Sequence, residues 1–543
     1  MLKKTWLISL VLAIIGFLVC FSSWRLLSPS YLTFSDAAKF ADIARNYVSG
    51  QGFGSSFSPW SLKALELERI WPVSWGSPLQ PLLLSIAFKF LGVKDWVVIL
   101  TSGSFYLAGA VGLYFLGKKV FSDLVGIFAS LAFIFDPVML DYATSGASES
   151  FFIFELILAA LLIVVNKKVS LFFGFLVLLL SYFTRPSAAI YIFGFVLFFI
   201  FLRFREKSQI IKAGGLVILG WLLIEVVLIK LSGHLFFYSP LMRFFVGITS
   251  FSPSAAATAS LRGGGTNLVV GFKPLLSKLL YNLYNFYKLL PNILSPYLAS
   301  FFFLSLFRWE KEREKRAFRL VVLLMVAMTF IASAAFLPIY RYLHPVIPFI
   351  YLLAIEMLVW TASQLITSFK LPMVRKVKRG TFVFLVSFSL IFVFIIGQTT
   401  GKIFLDSRYQ KAHTNQDKPP VYVQLSWLLK ENTKYDDLVI TNLDTWGSWY
   451  GERRTIWFPL EPRHLIPREG EETKIDAIYL TSYKMDDESY YLGEEWRKIF
   501  SQPEALEDSF IGQNFELAGE FEIAPEETYE REGGRAILLI RKQ

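Results

Sequence analysis

The sequence predicts a polytopic α-helical membrane protein with about eleven transmembrane helices, followed by a small C-terminal α/β domain. Hydrophobic residues make up 54% of the 543 residues and charged residues only 18%, whereas soluble proteins carry about 25% charged residues. Many apolar runs reach the length of about 20 residues that an α-helix needs to cross a bilayer. Both the hydrophobicity and the sign of the net charge change near residue 405.

The distribution of charge indicates two domains. Residues 405–543 contain 17 Lys+Arg and 27 Asp+Glu, a net charge of −10, while residues 1–404 have a net charge of +21. We therefore expect a transmembrane domain at 1–404 and a soluble domain at 405–543. Short cytoplasmic loops explain the positive charge of the first domain, so the basic composition does not indicate a nucleic-acid partner.

The first expected span runs from Trp6 to Leu27 and follows Lys3 and Lys4. Its apolar run is long and no small-residue cleavage site follows, so it is interpreted as a retained helix rather than a signal peptide. Ten further spans are expected at 96–117, 124–141, 150–165, 169–183, 187–202, 212–232, 286–307, 317–337, 345–368 and 381–400. The segment Pro78–Val93 is short and begins with prolines, so we expect a re-entrant or interfacial helix there.

The positions of the lysines and arginines predict which loops lie on each side of the membrane. With the N-terminus in the cytoplasm, eleven spans place the basic loops inside, as the positive-inside bias requires; these loops are Lys118-Lys119, Lys167-Lys168, Arg203–Lys212, Arg308–Arg319 and Lys370–Gly380. The 28–95 loop, the 233–285 loop and the C-terminal domain are then extracytoplasmic. We expect a multi-pass protein of the cell membrane in contact with the lipid bilayer.

The C-terminal domain alternates helix and strand patterns. Ser426–Thr433 has a helical pattern, and four segments have strand patterns: Asp437–Asn442, Thr455–Leu460, Asp476–Ser482 and Arg535–Lys542. The aromatic and charged segment Asp444–Arg454 suits sugar stacking and equally suits packing onto the membrane domain, and we favour packing. The glycine-containing segment Ser252–Asn267 is either a flap over an acceptor groove or, as we prefer, a plain loop.

One carboxylate stands out in the first outer loop, in the segment Phe34–Gly54. An apolar stripe at helical spacing contains Phe40, Ile43, Ala44 and Tyr47, and the opposite face contains Lys39, Asp42, Asn46 and Ser49. Asp36 lies four residues before Phe40, so it belongs to the apolar stripe. It either faces a cavity or complements the helix dipole at the helix N-terminus.

Further ionisable groups fall at predicted outer helix ends: Glu149 with Asp141 before it, Arg185, and Arg341 with Tyr342 and His344. Ionisable groups at membrane depth tend to mark function, and two acids and two arginines at outer ends could meet in one cavity. Each has an alternative role, with Glu149 starting its helix, the arginines as interfacial anchors and His344 as a packing residue. Four scattered histidines and the single Cys20 show no metal-site spacing and allow no intrachain disulfide.

The motifs together resemble a known family. In order they are an acid followed by A-x-x-A-R-x-x-x-x-G-x-G, then P-L-x-P-L-L-L, S-G-x-S-E-S, T-R-P and R-Y-L-x-P. This order is similar to the GT-C glycosyltransferases of the glycosyltransferase-39 type, relatives of the protein O-mannosyltransferases, and nearest to the set with an RgtA/B/C/D-like domain. The resemblance covers roughly residues 6–365.

The resemblance implies an inverting transfer of a sugar from a polyprenyl-phosphate sugar to a lipid, polysaccharide or protein acceptor outside the cell. It places Asp36 at the catalytic centre, with Glu149 as a second acid. It assigns the lipid phosphate to Arg341 and Tyr342, with Arg185 beside them. Two positions depart from the pattern. Ala37 stands where some relatives have a second acid, and Ser77 where some have a lysine.

The implied chemistry suits these residue types. A carboxylate can take the proton of the acceptor hydroxyl as general base, and arginines can stabilise the phosphate as it leaves. No cofactor is expected. Because carboxylates alone can hold Mg²⁺ or Mn²⁺, the sequence leaves a requirement for a divalent metal open. The alternatives are a transporter or flippase of lipid-linked sugars, a non-catalytic envelope scaffold, and, among enzymes, a transferase of longer lipid-linked chains.

Overall fold

The structure is a computed structural model. It describes residues 2–60, 62–65, 70–73, 77–203, 207–232, 235, 272–336, 339–369, 379–397, 401, 418–459, 462–465, 474–485, 494–506 and 511–542. The Ser252–Asn267 segment, interpreted above as a plain loop or a flap, lies outside the described residues, as do parts of the basic loops Arg203–Lys212 and Lys370–Gly380.

The helices are as follows in chain order: α1 (Leu2–Leu27), α2 (Ser35–Val48), α3 (Leu79–Leu91), α4 (Asp95–Val120), α5 (Asp123–Ile134), α6 (Pro137–Ser145), α7 (Glu149–Val165), α8 (Lys168–Thr184), α9 (Ala188–Arg203), α10 (Lys207–Ser232), α11 (Phe272–Lys288), α12 (Leu290–Ile293), α13 (Pro296–Ser305), α14 (Arg313–Phe336), α15 (Ile347–Phe369), α16 (Arg379–Ile391), α17 (Val421–Asn432), α18 (Trp446–Trp449) and α19 (Glu494–Ser501). A 3₁₀ helix, Tyr340–Val346, precedes α15.

The strands are β1 (Gly54–Ser55), β2 (Phe57–Ser58), β3 (Trp71–Pro72), β4 (Leu438–Thr441), β5 (Arg454–Trp457), β6 (Ala477–Thr481), β7 (Phe515–Ile523) and β8 (Gly534–Arg541). The four strands predicted in the C-terminal domain correspond to β4, β5, β6 and β8, and the predicted helix there lies within α17 except for its last residue. Strand β7 was not predicted, because its alternating pattern is mostly exposed and rich in glutamate.

The chain forms two compact units that do not follow the linear boundary expected near residue 405. The first unit comprises Met1–Leu26, Leu100–Val227 and Lys278–Tyr409. The second comprises Leu27–Ile99, Leu228–Ser277 and Gln410–Gln543. The loop expected at 28–95, which was assigned to the transmembrane domain, therefore folds with the C-terminal domain.

Every predicted span overlaps a described helix. Among the described residues, four helices are long and apolar enough to cross a membrane, or five if one bent pair counts as a single span. The four are Lys4–Leu26, Asp95–Val120, Arg313–Phe336 and Tyr340–Gln364. Shorter apolar helices accompany them. The mostly helical structure and the C-terminal sheet confirm the predicted fold class of a polytopic helical protein with a C-terminal α/β domain, whereas the number of eleven spans stays a prediction.

Two predicted spans are interrupted. The span expected at 124–141 consists of α5 and α6, which meet at an angle of 60°. The span expected at 286–307 is divided among α11, α12 and α13, where Pro291 and Pro296 each stand in the first turn of a new helix. Proline lacks the backbone N–H that would continue the preceding helix, so a new helix begins there.

The core of the first unit is rich in phenylalanine, and its helices approach closely where glycine allows it. Tyr106 stacks on Phe133 and Phe152 packs edge-on against Tyr191. A Cβ on Gly126 would overlap the carbonyl oxygen of Tyr114, so α5 can lie this close to α4 only with glycine at that position. Small residues serve helix contacts in membranes in this way.

A six-stranded sheet with the order β2-β5-β4-β6-β8-β7 forms the core of the second unit. Strands β5, β4 and β6 are parallel, whereas β8 and β7 complete the sheet antiparallel. Strand β2, which comes from the 28–95 loop, pairs parallel with β5, with Phe57 opposite Thr455. The loop therefore supplies an edge strand to the sheet of the C-terminal domain.

Candidate functional site

Asp36 lies in the first turn of α2 and is half-buried. The helix begins after Phe34, whose backbone is extended. The predicted helix is confirmed, and Phe40, Ile43 and Ala44 of the predicted apolar stripe are buried as expected, but the assignment of its faces fails at other positions. Tyr47 of the predicted apolar stripe is 41% exposed, while Lys39 and Asp42 of the predicted polar face are buried.

Asp42 is the buried carboxylate that the sequence analysis missed. It pairs with Arg45 Nη2 at 2.7 Å, and it accepts hydrogen bonds from the backbone N–H of Ser56 at 2.7 Å and the hydroxyl of Ser55 at 3.0 Å. Asn46 Nδ2 donates to the carbonyl oxygen of Gly54 at 3.0 Å. These hydrogen bonds hold residues Gly54–Ser58 against α2. The polar face of α2 can be buried because its polar side chains have these hydrogen-bond and ion-pair partners.

A second constellation lies in the first unit, around Glu149. This carboxylate is fully buried and forms an ion pair with Arg185 Nη1 at 2.5 Å. Arg341 Nε donates a hydrogen bond to the same oxygen, Oε1, and Arg185 also reaches the hydroxyl of Ser148 at 3.3 Å. The structure thus brings together three of the predicted site residues.

Local helix ends place these three side chains. Helix α6 ends at Ser145, and the left-handed backbone of Gly146 (φ 78°) turns the chain before α7 begins at Glu149. Arg185 is the residue that follows α8, with an extended backbone. Arg341 stands in the 3₁₀ helix before α15. Each group therefore sits at a helix end, as the sequence predicted.

Tyr142 and His344 lie in the same unit and form a buried pair. The Tyr142 hydroxyl is hydrogen-bonded to Nδ1 of His344, and the rings of Tyr142 and Tyr340 each lie 5.6 Å from the imidazole. Among the described residues, Nε2 of His344 has no hydrogen-bond partner. Tyr142 was missed by the sequence analysis, although it directly follows Asp141, which is exposed.

The remaining predicted residue, Tyr342, is half-buried, and its backbone N–H bonds to the carbonyl oxygen of Ile339 at 3.0 Å. Asp36 belongs to the second unit, whereas Glu149, Arg185 and Arg341 belong to the first. Within the described ranges, no group of three or more His, Cys, Asp or Glu side chains is arranged to hold a metal ion.

The electrostatics of the first constellation favour an anion. Two guanidinium groups share one carboxylate, and these three side chains together carry a formal charge of +1 in a mostly buried setting. Burial strengthens electrostatic interactions because the local dielectric constant is lower than that of water. Arginine's fixed fork of N–H donors matches the oxygens of a phosphate. Such a site can bind one negatively charged group and stabilise additional charge on it.

The aromatic segment Asp444–Arg454 packs within the second unit, against the 28–95 loop. Trp449 Nε1 donates to Asp95 Oδ1 at 2.8 Å, and the ring of Trp449 stacks on Phe88. Trp446 is buried against Tyr422. The two tryptophans are therefore packed rather than exposed, but their partners belong to the second unit, whereas the sequence favoured packing onto the membrane domain.

Comparisons with known proteins identify the fold. No protein-family model matches the chain, and no curated protein matches it by sequence. Among solved structures, ArnT from Cupriavidus metallidurans bound to undecaprenyl phosphate is similar, with a TM-score of 0.51 and 10% identity over 98% of this chain and 97% of that one. The archaeal oligosaccharyltransferase AglB from Archaeoglobus fulgidus, in complex with an inhibitory peptide and a dolichol-phosphate, has a TM-score of 0.54 and 14% identity over 97% and 74%.

The chain has the GT-C fold. Both neighbours are GT-C glycosyltransferases, and each match covers nearly the whole of this chain. A second structure of the A. fulgidus enzyme, in complex with Zn and sulfate, gives a TM-score of 0.53 at 13% identity over 96% of this chain and 72% of that one. Since these identities are low, the likeness establishes the fold alone.

Proposed function

We propose that this protein is an inverting glycosyltransferase that moves a sugar from a polyprenyl-phosphate donor to an acceptor hydroxyl on the extracytoplasmic side. The observation that carries the proposal is the pairing of Arg185 and Arg341 around Glu149. The two GT-C neighbours add support, because their structures contain undecaprenyl phosphate and a dolichol-phosphate. The acceptor class is a lipid, a polysaccharide or a protein.

The donor's phosphate would bind at Arg185 and Arg341. A polyprenyl-phosphate sugar is a phosphodiester with one negative charge, which matches the net charge of +1 left by two arginines and Glu149. During transfer the anomeric carbon–oxygen bond breaks and a second negative charge develops on the phosphate. The guanidinium donors stabilise that charge as it forms, and the hydroxyl of Tyr342 is proposed as a further donor.

The role proposed here for Glu149 differs from that of a second acidic residue at the catalytic centre, which the resemblance implies. It is fully buried and already shared by two arginines, so we propose that it sets the charge of the phosphate site. A buried arginine pair without this carboxylate would repel itself and would bind a dianion most strongly. With Glu149 present, the dianionic product is bound less tightly than two bare arginines would bind it, which favours its release.

Asp36 is proposed as the general base. The acceptor hydroxyl must lose a proton as its oxygen attacks the anomeric carbon, and a half-buried carboxylate within hydrogen-bond reach can take it. The leaving phosphate is already anionic and needs no proton, so one base suffices for a single displacement. A single displacement inverts the configuration at the anomeric carbon.

The experiment that tests this function compares Asp36→Asn with the wild type in lipid. A panel of radiolabelled polyprenyl-phosphate sugars serves as donor and a crude envelope extract as acceptor. We expect Asp36→Asn to reduce transfer at least about 100-fold, the scale of general-base catalysis, with expression unchanged. Asp436→Asn removes an exposed carboxylate of the same unit and should transfer at the wild-type rate.

Two results would overturn the proposal. Transfer by Asp36→Asn at the rate of Asp436→Asn would remove Asp36 from the reaction. Absence of transfer from every donor by the wild type, with polyprenyl phosphate still bound, would instead favour a transporter of lipid-linked sugars.

A further inference from the structure

The C-terminal domain holds the backbone on the N-terminal side of Asp36. The hydroxyl of Thr445 donates to the carbonyl oxygen of Ser35 at 2.7 Å, one residue before Asp36. The hydroxyl of Tyr422 donates to the carbonyl oxygen of Leu32 at 2.7 Å. The backbone N–H of Leu32 in turn donates to the Tyr450 hydroxyl at 2.8 Å, so residues 32–35 are held by three side chains of that domain.

The same domain also holds the other end of α2. Arg45 Nη1 donates to the carbonyl oxygen of Trp449 at 2.9 Å, and Nη2 donates to that of Ser448 at 2.7 Å. The guanidinium also lies 4.9 Å from the centre of the Trp449 ring, within cation–π distance. These two carbonyl groups belong to the last two residues of the four-residue helix α18, so the C-terminal domain holds α2 near both of its ends.

Asp95, the first residue of α4, hydrogen-bonds to two aromatic side chains of the C-terminal domain. Its two carboxylate oxygens accept from Trp449 Nε1 at 2.8 Å and from the Tyr450 hydroxyl at 2.7 Å. The Tyr450 hydroxyl therefore donates to Asp95 and accepts from Leu32. Burial raises the pKa of Tyr450 well above its ordinary value, and the Asp95 carboxylate raises it further. Burial likewise raises the pKa of Tyr422, so both phenols remain hydrogen-bond donors at neutral pH.

We propose that Tyr422, Thr445 and Tyr450 are positioning residues that fix Asp36 for catalysis, and that this is what the C-terminal domain contributes to the reaction. The proposal rests on the proposed role of Asp36. None of the three needs to touch the substrate, because each acts through the backbone of residues 32–35. A general base must stand within hydrogen-bond distance of the proton it removes, and a misplacement of about 1 Å can reduce a rate about 100-fold.

The test uses Thr445→Val and Tyr450→Phe, which remove only a hydroxyl group's hydrogen bonding. Tyr479→Phe is the matched control, because the buried Tyr479 hydroxyl donates at 2.8 Å to the carbonyl oxygen of Leu425, inside the same domain. We expect both test variants to lower kcat about tenfold or more, with the donor KM unchanged. Thr445→Ser keeps the hydroxyl and should restore most of kcat, which also distinguishes positioning from a folding defect.

Amide hydrogen exchange of residues 32–40 gives a readout that needs no activity. These amides should exchange faster in Thr445→Val and in Tyr450→Phe than in Tyr479→Phe. Unchanged protection, or a kcat equal to that of Tyr479→Phe, overturns the positioning role. If the wild type transfers no sugar, the proposed function fails by itself, and faster exchange in the test variants would still show that these residues hold the segment before Asp36.

Discussion

At the scale of single residues, Glu149 decides the charge of the proposed phosphate site. It is fully buried, and both of its arginine partners contact the same carboxylate oxygen. Removing one partner of a buried ion pair is generally destabilising, because the other charge is left uncompensated. A bound phosphate can supply that compensation, so the effect of a variant should depend on the charge of the ligand.

Glu149→Gln should therefore change the affinity for product more than the affinity for donor. Glutamine keeps an oxygen that accepts from arginine but raises the formal charge of these three side chains from +1 to +2. Coulomb energy scales with the ligand's charge, so we expect the inhibition constant of polyprenyl phosphate to fall about tenfold, and the donor KM to fall less. Product inhibition measured at pH 8, where the phosphate monoester is dianionic, checks this.

Two further variants are compared with Glu149→Gln in that measurement. Arg341→Ala removes a positive charge and should weaken the binding of both donor and product. Asp436→Asn, remote in sequence and exposed, should leave both constants unchanged. An unaltered ratio of inhibition constant to donor KM in Glu149→Gln would contradict the charge-setting role.

Residue-scale prediction from sequence is confirmed for the helix ends that carry the charged groups. Glu149, Arg185 and Arg341 each lie at a helix end, as expected, and the fold brings them together; their place on the outer side of the membrane stays a prediction. Asp42 was placed on a solvated face because a single helix shows only its own periodicity. Its burial depends on Ser55, Ser56 and Arg45, and a helical pattern carries no information about which later segment covers the polar side.

At the scale of elements, the bend between α5 and α6 has an identifiable cause. Asp136 caps α6, accepting from the backbone N–H groups of Val138 and Met139 at 2.8 and 3.0 Å, and Pro137 occupies the first helical position. An N-cap residue with a following proline starts a helix rather than continuing one. The hydropathy of 124–141 predicted one span because averaging over the window hides a single capping residue.

Asp136→Ala should destabilise the membrane domain. The N-cap contributes about 1 kcal/mol. The Tyr351 hydroxyl, which bonds to Asp136, would lose that partner in a buried setting, at a cost of about 1–3 kcal/mol. We expect a clear fall in the thermal unfolding midpoint measured in detergent.

Ser122→Ala is the control for the cap alone, because Ser122 caps α5 through one longer bond of 3.3 Å to Val125. It should lower the midpoint less than Asp136→Ala does. An equal or larger effect of Ser122→Ala would mean that the Tyr351 bond adds nothing to the cap.

At the scale of the whole molecule, the sequence predicted the architecture but not the composition of its compact units. Long apolar runs identify spans because a bilayer demands them, and four of the strands of the C-terminal domain have clear apolar patterns. The pairing of Phe57–Ser58 with β5 involves two residues on each strand. A strand of two residues is too short to show a periodic pattern in the sequence. Its parallel partner lies some 400 residues away along the chain, and tertiary structure alone determines that pairing.

The central claim is a single displacement at the anomeric carbon, and the stereochemistry of the product tests it most directly. We would incubate wild-type protein in lipid with a polyprenyl-phosphate sugar of defined anomeric configuration and determine the configuration of the new glycosidic bond by NMR. Attack by an acceptor hydroxyl deprotonated by one carboxylate predicts complete inversion. Retention of configuration would require two displacements, or attack from the leaving-group face, and would contradict the account.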